Sequence, residues 1–330
     1  VSSGTMVIGS SLTASLTRTN GNGSFLIWNA GGALTYSITS GGGSATVDPN
    51  TGLIQAISTG FVTLHVFASG DSDYFASQTS QSIAIFYSPG GVGVGGVDMR
   101  LWLRADNGLT APGNQVSEWD DQSQSISMTV NQAQVVPSSA ISLTSVGLNY
   151  NPVVSFSGAQ ELKGVGDFIF SASNTIIGVV QDRNSNGSVF ASTDNAGNPG
   201  PGLVNNNYTY SIDSQGSYGA TTGASTFTSI VTGMYLSPSN AVGSLIYLGG
   251  IQSSGNGGTI SSVPTNFEIG GRTAQGNSNR IMNGHIAEVI YYNRGISDQE
   301  RAQVQSYLGI KYGISIAPST QPNYLASDGS

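Results

Sequence analysis

The chain contains no cysteine, so neither disulfides nor thiolate-bound zinc can hold it together. Lysine is almost missing: among 330 residues only Lys163 and Lys311 carry it. Charged residues make up 8% of the chain, against about a quarter in ordinary soluble domains. The balance is acidic, with 18 Asp and Glu against 10 Lys and Arg and a net charge of −8. No basic patch can be assembled from so few cations, which argues against nucleic acid and anionic membrane as partners. No run approaches the roughly 18 apolar residues of a membrane-spanning helix, so direct membrane insertion is not expected. A nucleophile elbow of the form G-x-S-x-G does not occur. The run GGVGVGG at 90–96 lacks the lysine and the strand-to-helix setting of a phosphate loop.

What the chain has instead is glycine, 46 residues of it, with abundant Ser, Thr and Asn. Many short strands joined by tight turns need this mixture. TIIGVV, SVFAST, YTYSID, FTSIVTGMY and LIYLGG all read as short strands, and regular strands with frequent turns predict packed antiparallel sheets. The length predicts two or three domains. The glycine-rich stretch SPGGVGVGG at 88–96 marks a hinge between them. Before it, Phe61, Thr63, His65 and Phe67 alternate with Val62, Leu64 and Val66, a half-buried strand. Asp48, Pro49 and Asn50 predict a turn, with Gly52 supplying a left-handed position. One helix is predicted, starting at a capping box of Ser297 and Glu300 and stopping at Gly313. Val304 and Leu308 share its sheet-facing side.

Three sets of residues carry family resemblances. ATVDPNTGLIQAISTGFVTLHVFASGDSDYFAS, within residues 34–79, resembles a bacterial Ig-like repeat. LWLRAD at 101–106, VSEWDDQS at 116–123 and NPVVSFSG at 151–158 resemble, in that order, the opening of laminin-G-like domains in large Bacteroidetes surface proteins. NFEIGGR at 266–272 and NGHIAEVIYYNRGISDQERAQVQSYLGIKYG at 283–313 resemble the closing segment of concanavalin A-like, laminin-G-like jelly rolls. The resemblances imply an all-β chain: an Ig-like β-sandwich over 1–88, a Gly-rich linker at 89–96, a larger concanavalin A-like jelly-roll sandwich over 97–316 with one short C-terminal helix, and a tail at 317–330 leading into a further segment. They also imply a secreted, non-catalytic binding module of a large cell-adhesion protein on a Gram-negative bacterium. Its partners would be glycan or a cell-surface protein, with neighbouring domains of the same longer chain. A spacer or protomer of a surface filament, or an accessory domain of a polysaccharide-degrading enzyme, are the alternatives.

Candidate sites are few. Asp182, Asn184 and Asn186, followed by Gly187, match the first half of a D-x-N-x-N-G calcium loop. The terminal acid of an EF-hand is replaced by Thr193, and the same residues also read as a polar hairpin turn between TIIGVV and SVFAST. Asp120 and Asp121 follow Trp119 at a strand end. The laminin-G-like resemblance implies calcium at a sheet rim, while the residues themselves equally suit turn capping. Calcium is the one cofactor these residues suggest. Tyr208, Tyr210 and Tyr218, in NNNYTYSIDSQGSYG at 205–219, combine aromatic faces with amide side chains and are the candidate glycan contacts. Trp102 and Trp119 are expected in the core. Concanavalin-fold glycosidases typically show E-x-D-x-x-E on one strand. Here Glu118 and Asp120 supply the first two acids and the third is missing, so no glycosidase is expected. His65 and His285 fall in different domains.

Overall fold

A computed structural model of the chain describes residues 4–8, 11–14, 17–19, 25–27, 33–70, 72, 75–123, 132–136, 141–158, 160–165, 170–171, 173–182, 187–193, 200–206, 209–214, 217–224, 228–235, 244–253, 264, 266–272, 280–316 and 324–326. The chain divides into two units, Val1–Val94 and Gly95–Gly329.

The first unit holds β1 (Gly4–Val7), β2 (Ser11–Thr13), β3 (Thr17–Thr19), β4 (Phe25–Ile27), β5 (Leu34–Gly41), β6 (Ser44–Val47), β7 (Leu53–Ser58), β8 (Gly60–Ala68) and β9 (Ser77–Phe86). One sheet runs β1-β9-β8-β5, a second β2-β7-β6, and β3 pairs with β4. Only β1 runs parallel to its partner, β9. Alternation along β8 sends Val62, Leu64 and Val66 inward, where they meet Ile83 and Ile85 of β9 and Ile54 of β7. The two sheets therefore close on one apolar layer, as period-two strands must. The β6–β7 connection is the expected turn. Asp48 Oδ1 accepts from the amides of Asn50 and Thr51 at 2.9 and 2.8 Å. Gly52 sits at φ 70, facing the Tyr36 ring where a Cβ would collide. In the glycine-rich run that follows β9, Gly90, Gly91, Gly93 and Gly96 all take positive φ, which explains the composition of that stretch.

The second unit begins with β10 (Met99–Arg104), β11 (Leu109–Thr110), β12 (Glu118–Asp120), β13 (Gln132–Val136), β14 (Ser142–Leu148), β15 (Asn151–Ser157), β16 (Glu161–Val165), β17 (Asn174–Asp182) and β18 (Ser188–Thr193). It continues with β19 (Gly202–Asn206), β20 (Thr209–Ser214), β21 (Ser217–Ala224), β22 (Thr228–Tyr235), β23 (Ser244–Leu248), β24 (Ile251–Ser253), β25 (Asn266–Ile269), β26 (Asn283–Tyr292) and the helix α1 (Asp298–Tyr312). An eight-stranded sheet has the order β14-β15-β26-β17-β22-β23-β24, with β10 also paired to β26. A nine-stranded sheet has the order β11-β12-β13-β16-β25-β18-β19-β20-β21. The pairings within both are antiparallel.

The core lies between these sheets. Leu101, Val154, Ile176, Val231, Ile286 and Val289 from the eight-stranded sheet meet Trp119, Leu162, Phe190, Leu203, Phe267 and Ile269 from the nine-stranded one. Phe190 stacks on Phe267 and, across the gap, on Tyr291, with ring centroids 6.0 and 5.6 Å apart. The chain is thus all-β, and its second unit is two antiparallel sheets packed as a sandwich. Gly164 is required here, because the Phe267 ring fills the place of its Cβ.

The helix explains why β17 and β26 are apolar on both sides. Ile177, Val179, Ile290 and Tyr292 point away from the sandwich core and yet are fully buried. Val304, Leu308 and Tyr312 of α1 are buried too, and the Gln305 side chain donates to Thr232 of β22. A sheet covered on both faces reads as continuous hydrophobic runs. Ser297 and Glu300 form the reciprocal capping box, and Gly313 at φ 63 caps the other end. Among residues 324–326, Leu325 N donates to Ser306 Oγ, laying that segment along the helix.

Candidate functional site

Of the candidate residues of the second unit, Asp120, Asp121, Tyr210 and Tyr218 belong to the nine-stranded sheet or to its ends. Asp120 closes β12 and Asp121 follows it. Tyr210 stands on β20 opposite Asn205, and Tyr218 on β21 opposite Asp213. Tyr208 lies outside the described residues, and nothing is described of the side chains of the other two tyrosines. Asp182 ends β17, while Asn184 and Asn186 lie outside the described residues. The 182–187 segment is not a hairpin turn. It links β17 of the eight-stranded sheet to β18 of the nine-stranded one, so its flanking strands pair with other partners. Asp71 and Asp73, a further carboxylate pair of the first unit, lie outside the described residues.

Asp121 is built into the framework. Its Oδ1 accepts from Trp102 N at 2.8 Å and Ser123 N at 2.9 Å, and its Oδ2 accepts from Ser123 Oγ at 2.6 Å. One carboxylate therefore caps a turn and ties β12 to β10 of the other sheet. Asp120 N donates to Gly108 O at 2.7 Å. Trp119 is fully buried and donates its indole N–H to Arg104 O at 2.9 Å, while its neighbours Glu118 and Asp120 stay half-exposed. Trp102 is buried as well, under the helix. Among the described residues, no three His, Cys, Asp or Glu side chains gather as a metal cage.

Register brings together residues that lie far apart in sequence. Glu118 stands opposite Gln134, Gln134 opposite Lys163, Lys163 opposite Glu268, and Glu268 opposite Ala191. Leu162 and Ile269, next to Lys163 and Glu268, point into the core, so this row lies on the sheet's outer face. Glu161 shares that face one pleat along β16. Glu161 and Glu268 are 2% and 4% exposed. Lys163 Nζ lies 3.4 Å from Glu161 Oε1 and 3.9 Å from Glu268 Oε1, and its own side chain is 40% exposed. Two buried carboxylates thus hold one accessible ammonium. Their desolvation is offset by that shared charge and by geometry that fixes it. Sequence reasoning missed Glu161, Lys163 and Glu268. The visible signal was an acid at an outward position of an otherwise apolar strand, in ELKGV and again in NFEI.

A second charged cluster lies on the eight-stranded sheet. Glu288 of β26 is fully buried and accepts from Trp102 Nε1 at 2.5 Å, Tyr312 Oη at 2.8 Å, Lys311 Nζ at 2.9 Å and Tyr307 Oη at 3.4 Å. Lys311 also reaches Asp106 at 3.1 Å, and Asp106 pairs with Arg104 at 2.8 Å. Burial works to raise the Asp106 carboxyl, but hydrogen bonds from Arg104 and Lys311 prevail and hold it below its ordinary 3.8. Burial, with the Glu288 charge beside them, pushes the Tyr307 and Tyr312 phenols well up, so both remain hydrogen-bond donors. The cluster is closed over by α1 and fastens it to the sheet.

Comparison with known proteins finds one family model, a domain of unknown function (DUF8202), matching residues 300–330. No curated protein matches the chain. Among solved structures, the chain is similar to domain 4 of AbnA, a GH43 extracellular arabinanase from Geobacillus stearothermophilus in complex with arabinotriose. There the TM-score is 0.45 at 11% identity, covering 64% of this chain and 98% of that one. It is also similar to Trypanosoma rangeli sialidase in complex with sialic acid, with TM-score 0.44 and 12% identity over 95% of this chain and 56% of that one. The binding domain of botulinum neurotoxin DC in complex with SialylT gives TM-score 0.40 and 13% identity, over 66% and 51% of the two chains. The chain spans about half the length of the sialidases it matches.

Proposed function

We propose that the second unit is a non-catalytic binding module for neutral glycan, carried by an exported surface protein of the adhesin type. One observation carries the reading: the outer-face row of Glu118, Gln134, Lys163 and Glu268, in which the buried Glu161 and Glu268 fix the exposed Lys163 ammonium. Lys163 and Glu268 stand on neighbouring strands about 4.8 Å apart, and Glu118 stands two strands from Lys163, across Gln134, at about twice that spacing. Acceptor and donor alternate, which suits hydroxyl groups that each donate and accept. The ammonium is held before any ligand arrives, so little ordering is needed on binding. Lys163 also stands between Glu161 and Glu268, where a scissile glycosidic oxygen would have to enter, which favours binding over hydrolysis. The scarcity of charge and the absence of cysteine fit export without disulfides. The family reading, an Ig-like repeat followed by a laminin-G-like domain of a Bacteroidetes adhesin, rests on the quoted motifs. Calcium belongs to the same proposal. Asp121 already uses both oxygens within the framework, so the 182–187 segment is the better-suited holder.

A glycan array followed by titration calorimetry tests the reading. Glu118→Gln is expected to lower affinity for the best neutral glycan at least tenfold without changing the melt, whereas Lys163→Met is expected to lower both, because it takes the shared ammonium from the buried Glu161 and Glu268. Silence across the array removes it. Release of reducing sugar that vanishes in Glu161→Gln or Glu268→Gln makes the protein an enzyme instead. Loss of binding in Tyr210→Ala with Lys163→Met unaffected moves the site to the β20–β21 edge.

A further inference from the structure

The first unit reads from sequence as a spacer. Its four-stranded sheet has one face in the core and one open face, and the open face has an unusual make-up. Strands β1, β5, β8 and β9 carry no Asp, Glu, Lys or Arg. On β8 the outward positions are Phe61, Thr63, His65 and Phe67. Register sets Phe67 between Thr35 and Gln78, His65 between Ser37 and Ser80, and Thr63 between Thr39 and Ser82. The two phenyl rings are 51% and 45% exposed. They are six residues apart, about 20 Å at the rise of a strand. Thr39 Oγ1 lies 3.0 Å from His65 Nε2. A groove of about 420 Å³ runs over the Phe67 and His65 rows, lined by Thr35, Ser37, His65, Phe67, Gln78 and Ser80. That volume lies within the range of small-ligand sites.

We infer that this face of the first unit is a second binding site, independent of the outer face of the nine-stranded sheet, and that its ligand is a neutral oligosaccharide. Three features select that class. The face has no fixed charge, so it offers nothing to compensate an anionic or cationic ligand on desolvation. Phe61 stands between Gly41 and Ala84, while hydroxyl and amide side chains flank Phe67 and His65 on both sides. A purely apolar partner would bury them without partners, at a cost for each group. The exposed rings offer apolar surface to the C–H face of a sugar, while the Thr, Ser and Gln beside Phe67 and His65 exchange hydrogen bonds with its hydroxyls. The spacing of the rings along β8 fits an extended chain of several sugar units rather than a single one. A chain with two such sites would gain avidity on a polymeric glycan without any new contact.

The experiment uses the full chain carrying Lys163→Met and Glu118→Gln, so that retardation in affinity electrophoresis has to come from the first unit. The gels contain soluble neutral polysaccharides: dextran, laminarin, xyloglucan, galactomannan and arabinan. Parallel gels contain the anionic polygalacturonate and dextran sulfate. At least one neutral polymer is expected to retard the protein, with no stronger retardation by the anionic ones. Adding Phe67→Ala is expected to weaken binding at least tenfold, and Phe61→Ala to weaken binding of long chains more than of short ones. Thermal melts of each variant show that the first unit stays folded. His65→Gln, which keeps a polar group in place, gives a second readout if Phe67→Ala fails to fold. The proposal is overturned if no neutral polymer retards the background protein, or if retardation survives both Phe67→Ala and His65→Gln. It is also overturned if Phe67→Ala changes only the sedimentation coefficient, which would make the face a contact between copies of this chain.

Discussion

Tyr150 occupies a backbone position better suited to glycine. With Asn149 it forms the two-residue connection between β14 and β15, at φ 63 and φ 46, the turn geometry in which Asn-Gly is the favoured pair. A left-handed residue with a side chain costs about 1 kcal/mol or more. The Tyr150 ring is 88% exposed, so packing gives little back. Tyr150→Gly is therefore expected to raise stability by about 0.5–1 kcal/mol, read as a higher urea midpoint at unchanged slope. An unchanged or lower midpoint would mean that the ring is held by contacts the backbone does not reveal. Glu288 is the opposite case. Removing one partner of a buried ion pair leaves the other uncompensated, and Glu288→Ala is expected to cost about 3–5 kcal/mol. A chemical-denaturation loss under about 1 kcal/mol would show that Lys311 finds another partner. The sequence IAEV reads as simple alternation, with Glu288 on the face of Ile286. In the fold, Val179 pairs with Glu288 and Val180 with Ile286, leaving Ala287 as an extra residue. That bulge turns Glu288 away from the sandwich core and under the helix. Local pattern could not show it, because a bulge is set by the partner strand.

Helix α1 was legible because its signals are local. Ser297, Glu300 and Gly313 act within a few residues of themselves, and each does what its position implies. Ser297→Ala removes the side-chain half of the capping box, leaving the bond from its backbone amide to Glu300, and is expected to cost about 1 kcal/mol. Glu300 also binds Arg294 through two bonds of 2.7 and 2.8 Å, and Arg294 reaches Asp98 at 2.7 Å. Burial works to raise the Glu300 carboxyl, yet the hydrogen bonds from Arg294 and the Ser297 amide prevail and hold it below its ordinary 4.5. A carboxyl lowered by folding contributes stability that is complete above its unfolded value and is lost as pH falls through the folded one. The second unit is thus expected to weaken on acidification below about pH 4.5, and Glu300→Gln to flatten that part of the melting-temperature profile. An identical slope in the variant would assign acid sensitivity elsewhere. The separate pairing of β17 and β18 and the Glu161, Lys163 and Glu268 trio were not legible for the converse reason. A strand pattern states which residues alternate but not which strand lies beside it. The β16–β25 pairing joins segments about a hundred residues apart, so the shared ammonium exists only once the register is known.

At the scale of the whole chain, composition was enough for the fold class, since a chain so rich in glycine and hydroxyl residues and so poor in charge suits short strands and tight turns. It could not locate a ligand, because the same Ser, Thr and Asn that build turns also bind sugars. Calcium can be tested on the intact molecule. An ion held only by the folded state raises the melting temperature in proportion to its occupancy, so a chelator is expected to lower the transition of the second unit and added calcium to restore it. Superimposable melts would remove calcium from the account, and Asp182→Ala against Asp120→Ala would separate the 182–187 segment from the β12 end. The organisation into two units has its own test. Each unit has a separate core, Val62, Leu64 and Ile83 in the first and Phe190, Phe267 and Tyr291 in the second, and among the described residues no sheet contains strands of both. A domain of about 90 residues buries a smaller share of its surface than one of about 230, so its stability margin is narrower. Calorimetry of the intact chain is expected to give two transitions, with the lower one from the first unit. Residues 97–316 expressed alone should reproduce the upper transition within a few degrees. Limited proteolysis is expected to cut within the glycine-rich run 89–96 and to leave that same fragment. A single cooperative transition, or a 97–316 fragment without a melt, would mean that the two cores support one another and that the first unit is part of the second unit's fold.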